Sequence, residues 1–390
     1  MPTRSRPSVD GRGAGRATSR SSAAAARFRR APAAPVLVRH LRNGVEESVH
    51  RGHVVEVDLS GRIVRAIGDP EHLTNLRSAV KPFGVVALLE AGADRAFGLE
   101  PAELAIMASS HSGEDLHVRT LQALYRRTGI SQANLACGVE SAPLDQITAT
   151  RLARDGERPG QIRHMCSGQH SGFLLLCKLG GWSPEGYWEE RHPSQVALRG
   201  VVARAFRTTP EELVMGIDAC GINTYAFPLR EIAWAYGLLG DPDSIPSSDP
   251  RSSLAPHFRR IRDAMLEHPE LVGGTHDRLD TSLMKAMPGR LVAKGGAEAL
   301  RSVGILSGPR GSGAPTAATG MAVKIEDGDG FDRAGSAATI EALRQAGVVE
   351  GQALRTLNRY HHPTFADSHG RLAAESVPEF ELAPIGELVR

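Results

Sequence analysis

The order in which runs of one periodicity give way to another constrains this chain most. Short β-type runs come first (Val36–Val38, Val54–Val57 and, after a Ser60-Gly61 turn, Ile63–Ile67), then helical patterns fill about 100–240. β-type runs return after Pro288-Gly289, at 290–294, 305–306 and 321–325, with a helix near 336–346. A chain that starts and ends in strands around a helical middle builds one sheet from both ends. The fold class this predicts is α/β in the α+β sense, an antiparallel sheet with a helical insertion. The domains expected are a basic tail at 1–35, disordered because it lacks an apolar pattern to offset its ordering entropy, and a single catalytic domain at 36–390 with a helical subdomain at about 100–240.

Composition removes several function classes. Residues 1–30 hold eight arginines against the single acid Asp10, a charge of +7 within a total of +2, so the remainder carries −5. A mildly acidic body with 5% aromatic residues is no nucleic-acid reader, which needs clustered Lys and Arg. No apolar run approaches the length of a membrane-spanning helix. Four cysteines (137, 166, 177, 220) and no secretory apolar core point to a reducing cytoplasm. The Arg-rich, acid-poor start also matches a transit peptide, and an over-extended reading frame is the plainest account of it. A small-molecule partner is expected.

Of 46 basic residues only five are lysines, at 81, 178, 285, 294 and 324. Arginine serves wherever charge suffices, whereas a desolvated lysine can lose its proton and act as a base. Ser78-Ala79-Val80-Lys81 sets a hydroxyl and an amine at i and i+3 near a helix start, since Pro82 is tolerated only in a first turn. Ser282-Leu283-Met284-Lys285 matches the same pattern, so one match at least is chance. Lys294-Gly295-Gly296 after a β-type run favours the first, as in serine-lysine hydrolases. Ser109-Ser110-His111-Ser112-Gly113-Glu114 is a polar cluster between helices, with Ser112 and Asp115 in capping-box spacing. Cys166, Gln169 and His170 share a helix start, and Cys220 supplies a second sulfur. Two sulfurs and a third donor suit zinc, while buried free thiols are the commoner state.

Arg77–Phe83, Ala108–Glu114, Cys166–Phe173, Gly216–Gly221 and Pro288–Glu298 together resemble the class 3, or Rhizobium-type, L-asparaginases, also called asparaginase II, from about Val36 to Gly347. The resemblance implies a fold similar to serine β-lactamases and glutaminases, and hydrolysis of L-asparagine to L-aspartate and ammonia. It implies two Ser-Lys pairs, Ser78 with Lys81 and Ser110 with Lys294, and a homodimer. Its zinc site falls on Cys166 and Cys220, with Gln169 where the family has lysine. A glutamine oxygen is a hard, weak donor, so Zn2+ affinity is expected to be weak or absent. Asn223 and Ala299 depart from the family's proline and glycine. In the mechanism expected, Lys81 takes the Ser78 proton, Ser78 attacks the amide carbon, amides at the mouth of the Ser78 helix hold the oxyanion, and Ser110 and Lys294 relay the proton; which serine attacks first is left open. Arg77, His170 and Asp218 are expected to hold the charged groups of asparagine. The alternatives are a glutaminase or other Ser-Lys amidase, and an inactive asparagine-binding homologue.

Overall fold

The computed structural model describes residues 33–385, apart from 139–142, 312–314 and 331. Contacts divide the chain into Met1–Ala33 and Ala34–Arg390. The expected basic tail lies outside the described residues as far as residue 32. Ala34 and Pro35, assigned to that tail, belong to the body instead: Ala34 is buried and the Pro35 carbonyl accepts from Gly52.

Thirteen strands are described: β1 (Val36–Arg42), β2 (Val45–Asp58), β3 (Ile63–Ile67), β4 (Leu73–Asn75), β5 (Val214–Ile217), β6 (Asn223–Pro228), β7 (Leu291–Gly296), β8 (Leu300–Ile305), β9 (Gly308–Pro309), β10 (Pro315–Thr316), β11 (Thr319–Ile325), β12 (Thr364–Ala366) and β13 (Leu372–Pro378). Eight of them form one antiparallel sheet in the order β12-β13-β1-β2-β11-β8-β7, with β3 also paired to β2. Strands from the start of the chain thus meet strands from its end at β2–β11 and again at β1–β13, as the order of sequence runs predicts. A small second sheet, β4-β6-β5, lies outside this one. The stretch from 100 to 240 is therefore not purely helical, since it contains β5 and β6.

Helix Leu229–Gly240 packs on β2, β8 and β11. Its approach is very close because the facing positions lack side chains. A Cβ on Gly320 would stand 1.7 Å from the Ala233 carbonyl oxygen, and one on Gly304 would stand 2.2 Å from that of Tyr236. On the other side of the core, helix Lys81–Glu90 is apolar nearly all round and contacts helices Ser167–Gly180 and Pro193–Ala205. A helix of that kind belongs inside a protein. Among the described residues no helix is long and apolar enough to cross a membrane, and all four cysteines are free thiols.

Candidate functional site

Lys81 is the first residue of the buried helix Lys81–Glu90, preceded by the 3-10 turn Arg77–Val80. Pro82 is accepted because it sits in the first turn, where its missing N–H has no partner to lose. Ser110 lies in the loop between helices Pro101–Met107 and Asp115–Thr128, fixed by its N–H on the Val272 carbonyl at 3.0 Å. Lys294 stands in the middle of β7, fully buried. Three separate elements converge here on one oxygen: Ser110 Oγ is 3.0 Å from Lys81 Nζ and 2.9 Å from Lys294 Nζ.

The pairing differs from expectation in one respect. Ser110 and Lys294 meet as the resemblance implies, but no hydrogen bond joins the side chains of Lys81 and Ser78. The Lys81 amine reaches across to Ser110, the Met165 carbonyl at 3.4 Å and Cys166 Sγ at 3.3 Å. These three acceptors match the three hydrogens of an ammonium ion. The Ser78 hydroxyl has no hydrogen-bond partner among the described residues. Nor is the 3-10 turn a row of free amides: Arg77 N–H donates to Thr224 Oγ1, Ala79 N–H to the Leu76 carbonyl and Lys81 N–H to the Ser78 carbonyl.

Burial lowers the Lys294 amine to about 7, and nearby Lys81 and Arg278 push the same way, while Asp280 opposes them. Both amines are placed as donors to Ser110 Oγ, and Lys294 Nζ also donates to the Gly295 carbonyl at 2.7 Å. An amine lowered to about 7 can release its proton and then accept from the Ser110 hydroxyl. Asp280 and Arg278 had no motif to announce them. Asp280 Oδ2 accepts from the Gly295 N–H at 2.9 Å and stands 3.9 Å from Lys294 Nζ. Burial pushes the Asp280 carboxyl up, and the charges of Lys294 and Arg301 with the Gly295 N–H outweigh that and hold it below its usual value. Arg278 Nη2 donates to the Ser110 carbonyl at 2.7 Å.

Arg77 and Asp218 do come together, as an ion pair with Nε and Nη2 on Oδ1 at 3.1 and 2.8 Å. Arg77 holds a left-handed backbone, φ 48°, stabilised by its N–H on Thr224. His170 is deeply buried and pushed down to about 3 by that burial, so it is neutral. Tyr187, absent from the motifs, sets its tautomer: the tyrosine oxygen accepts the Ala136 N–H at 2.9 Å, and its own hydrogen points to His170 Nδ1 at 2.5 Å. Nε2 then carries the imidazole hydrogen, with no partner. That makes His170 a donor suited to a carboxylate or amide oxygen.

The other expectations resolve separately. Ser282 Oγ bonds the Tyr360 hydroxyl at 3.0 Å and Lys285 pairs with Glu270 at 3.3 Å, so the second Ser-x-x-Lys match is a surface feature. Ser112 does not cap the following helix. That helix starts at Asp115 with Glu114 before it, and Ser112 Oγ donates to Glu114 Oε1 at 2.6 Å.

The metal set is incomplete. Hydrogen bonding from the Cys220 thiol holds Cys166 well below its ordinary value, with help from Lys81 against burial, and Cys220 is pushed up in turn. The two sulfurs suit zinc, but Gln169 lines an apolar space with Gly84, Leu88, Met107 and Phe173, and its Nε2 has no partner. Among the described residues the three-donor groups of His, Cys and carboxylate are His53–His72–Glu326 and Glu114–Asp145–His276, neither with a cysteine. The residues present do not fit the family's zinc site, which needs a third strong donor.

The L-asparaginase II family model matches residues 38–377. The chain belongs to the L-asparaginase II family. Membership places it among amidohydrolases, and the two-ended sheet with its helical insertion is the arrangement the resemblance implies. No curated protein matches it. Among solved structures, one of Mglu is 15% identical with a TM-score of 0.39 over 80% of this chain and 67% of that chain. A probable glutaminase from Bacillus subtilis complexed with 6-diazo-5-oxo-L-norleucine is 11% identical, with a TM-score of 0.33 over 72% of this chain and 78% of that one.

Proposed function

We propose that this L-asparaginase II family member hydrolyses L-asparagine to L-aspartate and ammonia, with Ser110 as the nucleophile. One observation carries the reading: the Ser110 hydroxyl lies between two lysine amines at 3.0 and 2.9 Å, one of them lowered to about 7. Neutral Lys294 takes the Ser110 proton as Oγ attacks the side-chain amide carbon. The C–N bond then breaks, and Lys294 returns the proton to the departing nitrogen, which leaves as ammonia. Water adds to the β-aspartyl ester and gives a proton to Lys294; as the ester C–O bond breaks, Lys294 passes that proton to Ser110 Oγ, which releases L-aspartate and restores both the hydroxyl and the neutral amine. Lys81 donates to Oγ and steadies the negative charge that develops beside it.

The Arg77–Asp218 pair suits an amino-acid head group. Asp218 Oδ2 remains for the α-ammonium, and the outer guanidinium hydrogens together with His170 Nε2–H serve the α-carboxylate. No step needs a metal. The test is ammonia release from L-asparagine and L-glutamine by the protein and its Ser110→Ala and Ser78→Ala variants. Release from asparagine that Ser110→Ala abolishes supports the reading. Release from glutamine alone makes the protein a glutaminase, and substrate binding without release makes it a binding protein.

A further inference from the structure

Strand β7 has two faces, and only one carries the serine–lysine array. Behind it lies a cavity of about 280 Å3 between Arg278, Asp280, Arg301, Asp332 and Ser336, with the exposed Arg359–Asp277 ion pair at 2.8 Å also lining it. That is the room of roughly nine waters, at about 30 Å3 each. Gly295 faces the cavity: a Cβ there would stand 2.5 Å from Arg301 Nη1 and 3.5 Å from Asp280 Oδ1.

The charges lining it are unevenly satisfied. Asp280 is committed to the Gly295 N–H and Lys294, and Arg278 to the Ser110 carbonyl. Arg301, half-buried, forms no hydrogen bond or ion pair with any described residue, and its Nε is cut off from solvent. Asp332 likewise has no side-chain hydrogen bond or ion pair among the described residues, and the Ser336 hydroxyl is also unengaged. Arg301 acts on Asp280, and Asp332 on Arg278, through charge without a hydrogen bond, so a cation and a carboxylate line one cavity with their hydrogen-bonding groups unused, an arrangement complementary to a zwitterion.

We propose that this cavity is a second binding site, distinct from the catalytic cleft, for a free α-amino acid, whose carboxylate sits on Arg301 and Ser336 and whose ammonium sits on Asp332. Its walls are shared with the catalytic array, because Arg278 holds the Ser110 carbonyl and Asp280 holds both Gly295 and Lys294. Occupancy is thereby felt at the nucleophile.

Calorimetric titration of the full chain with L-aspartate tests this, and it reads binding whether or not the protein proves to be an asparaginase. Arg301→Gln is expected to weaken one L-aspartate binding event at least tenfold, while a second event, sensitive to Arg77→Ala, persists. Asp332 is exposed, so Asp332→Asn tests the ammonium contact without threatening the fold: it is expected to weaken L-aspartate at that event at least threefold and leave sulfate binding unchanged. Isotherms that neither substitution alters would overturn the site. Sulfate binding as tight as L-aspartate and indifferent to Asp332→Asn would overturn its assignment to a zwitterion.

Discussion

Lys294 and Lys81 touch the same oxygen but live in different surroundings, and that difference sets the pH behaviour. The base form of Lys294 is the neutral amine, whose pKa burial lowers to about 7. Activity is therefore expected to fall as pH drops through about 7, visible as an acid limb in kcat/KM. Asp280 raises that pKa, so Asp280→Asn removes a charge that favours the ammonium form and should move the limb to lower pH. A limb that stays in place would remove Lys294 from the role of base. Gln169 carries a second prediction. Gln169→Lys supplies the nitrogen donor that Cys166 and Cys220 lack, so chelator-competition titration should show zinc binding at least about tenfold tighter than in the natural protein. The sequence made the ten expected residues legible through their motifs. Asp280, Arg278 and Tyr187 were not, because a buried acid, a buried guanidinium and a tautomer-setting hydroxyl act from elements distant in sequence and leave no spacing behind.

At the scale of elements, the periodic signals held where one face is buried and failed where local hydrogen bonds decide. The helix read from about Gly168 to Gly180 spans Ser167–Gly180, and that near 336–346 spans Gly335–Gln345. Strand β2 is more than three times as long as its apolar run Val54–Val57, because Val45, Glu46 and Ser48 pair along β1 through a hairpin whose turn is Asn43-Gly44, both at positive φ. Ser112 was legible as polar, but Glu114 captures its hydroxyl. The packing of helix Leu229–Gly240 on the sheet was not legible at all, since glycines in a strand advertise nothing about their partner. Gly320→Ala places a methyl 1.7 Å from the Ala233 oxygen, so helix and sheet must separate. Denaturant titration should show a loss of about 1–3 kcal/mol. No loss would mean the interface yields more freely than its geometry allows.

At the scale of the molecule, the first and last strands among the described residues are joined in one sheet. β13 pairs with β1 from Val38 to Leu41, and Ala374 and Ser376 are buried against the sheet. A sheet built from both ends was legible in the sequence, whereas β12 and β13 were not, because their short mixed-polarity runs carry little periodicity. Removing residues 364–390 strips a paired edge and uncovers β1, so the thermal transition followed by circular dichroism should broaden and fall. An unchanged transition would show that the C-terminal strands contribute no stability. The fold brings Lys294 to Ser110 and Lys81, about two hundred residues away in sequence, so the serine–lysine array exists only in the assembled molecule. The most direct test of that array is steady-state ammonia release from L-asparagine by Ser110→Ala, checked for an unchanged fold. The account predicts a loss of at least about ten-thousand-fold. Turnover within about a hundredfold of the natural protein would contradict it and pass the nucleophile's role to Ser78.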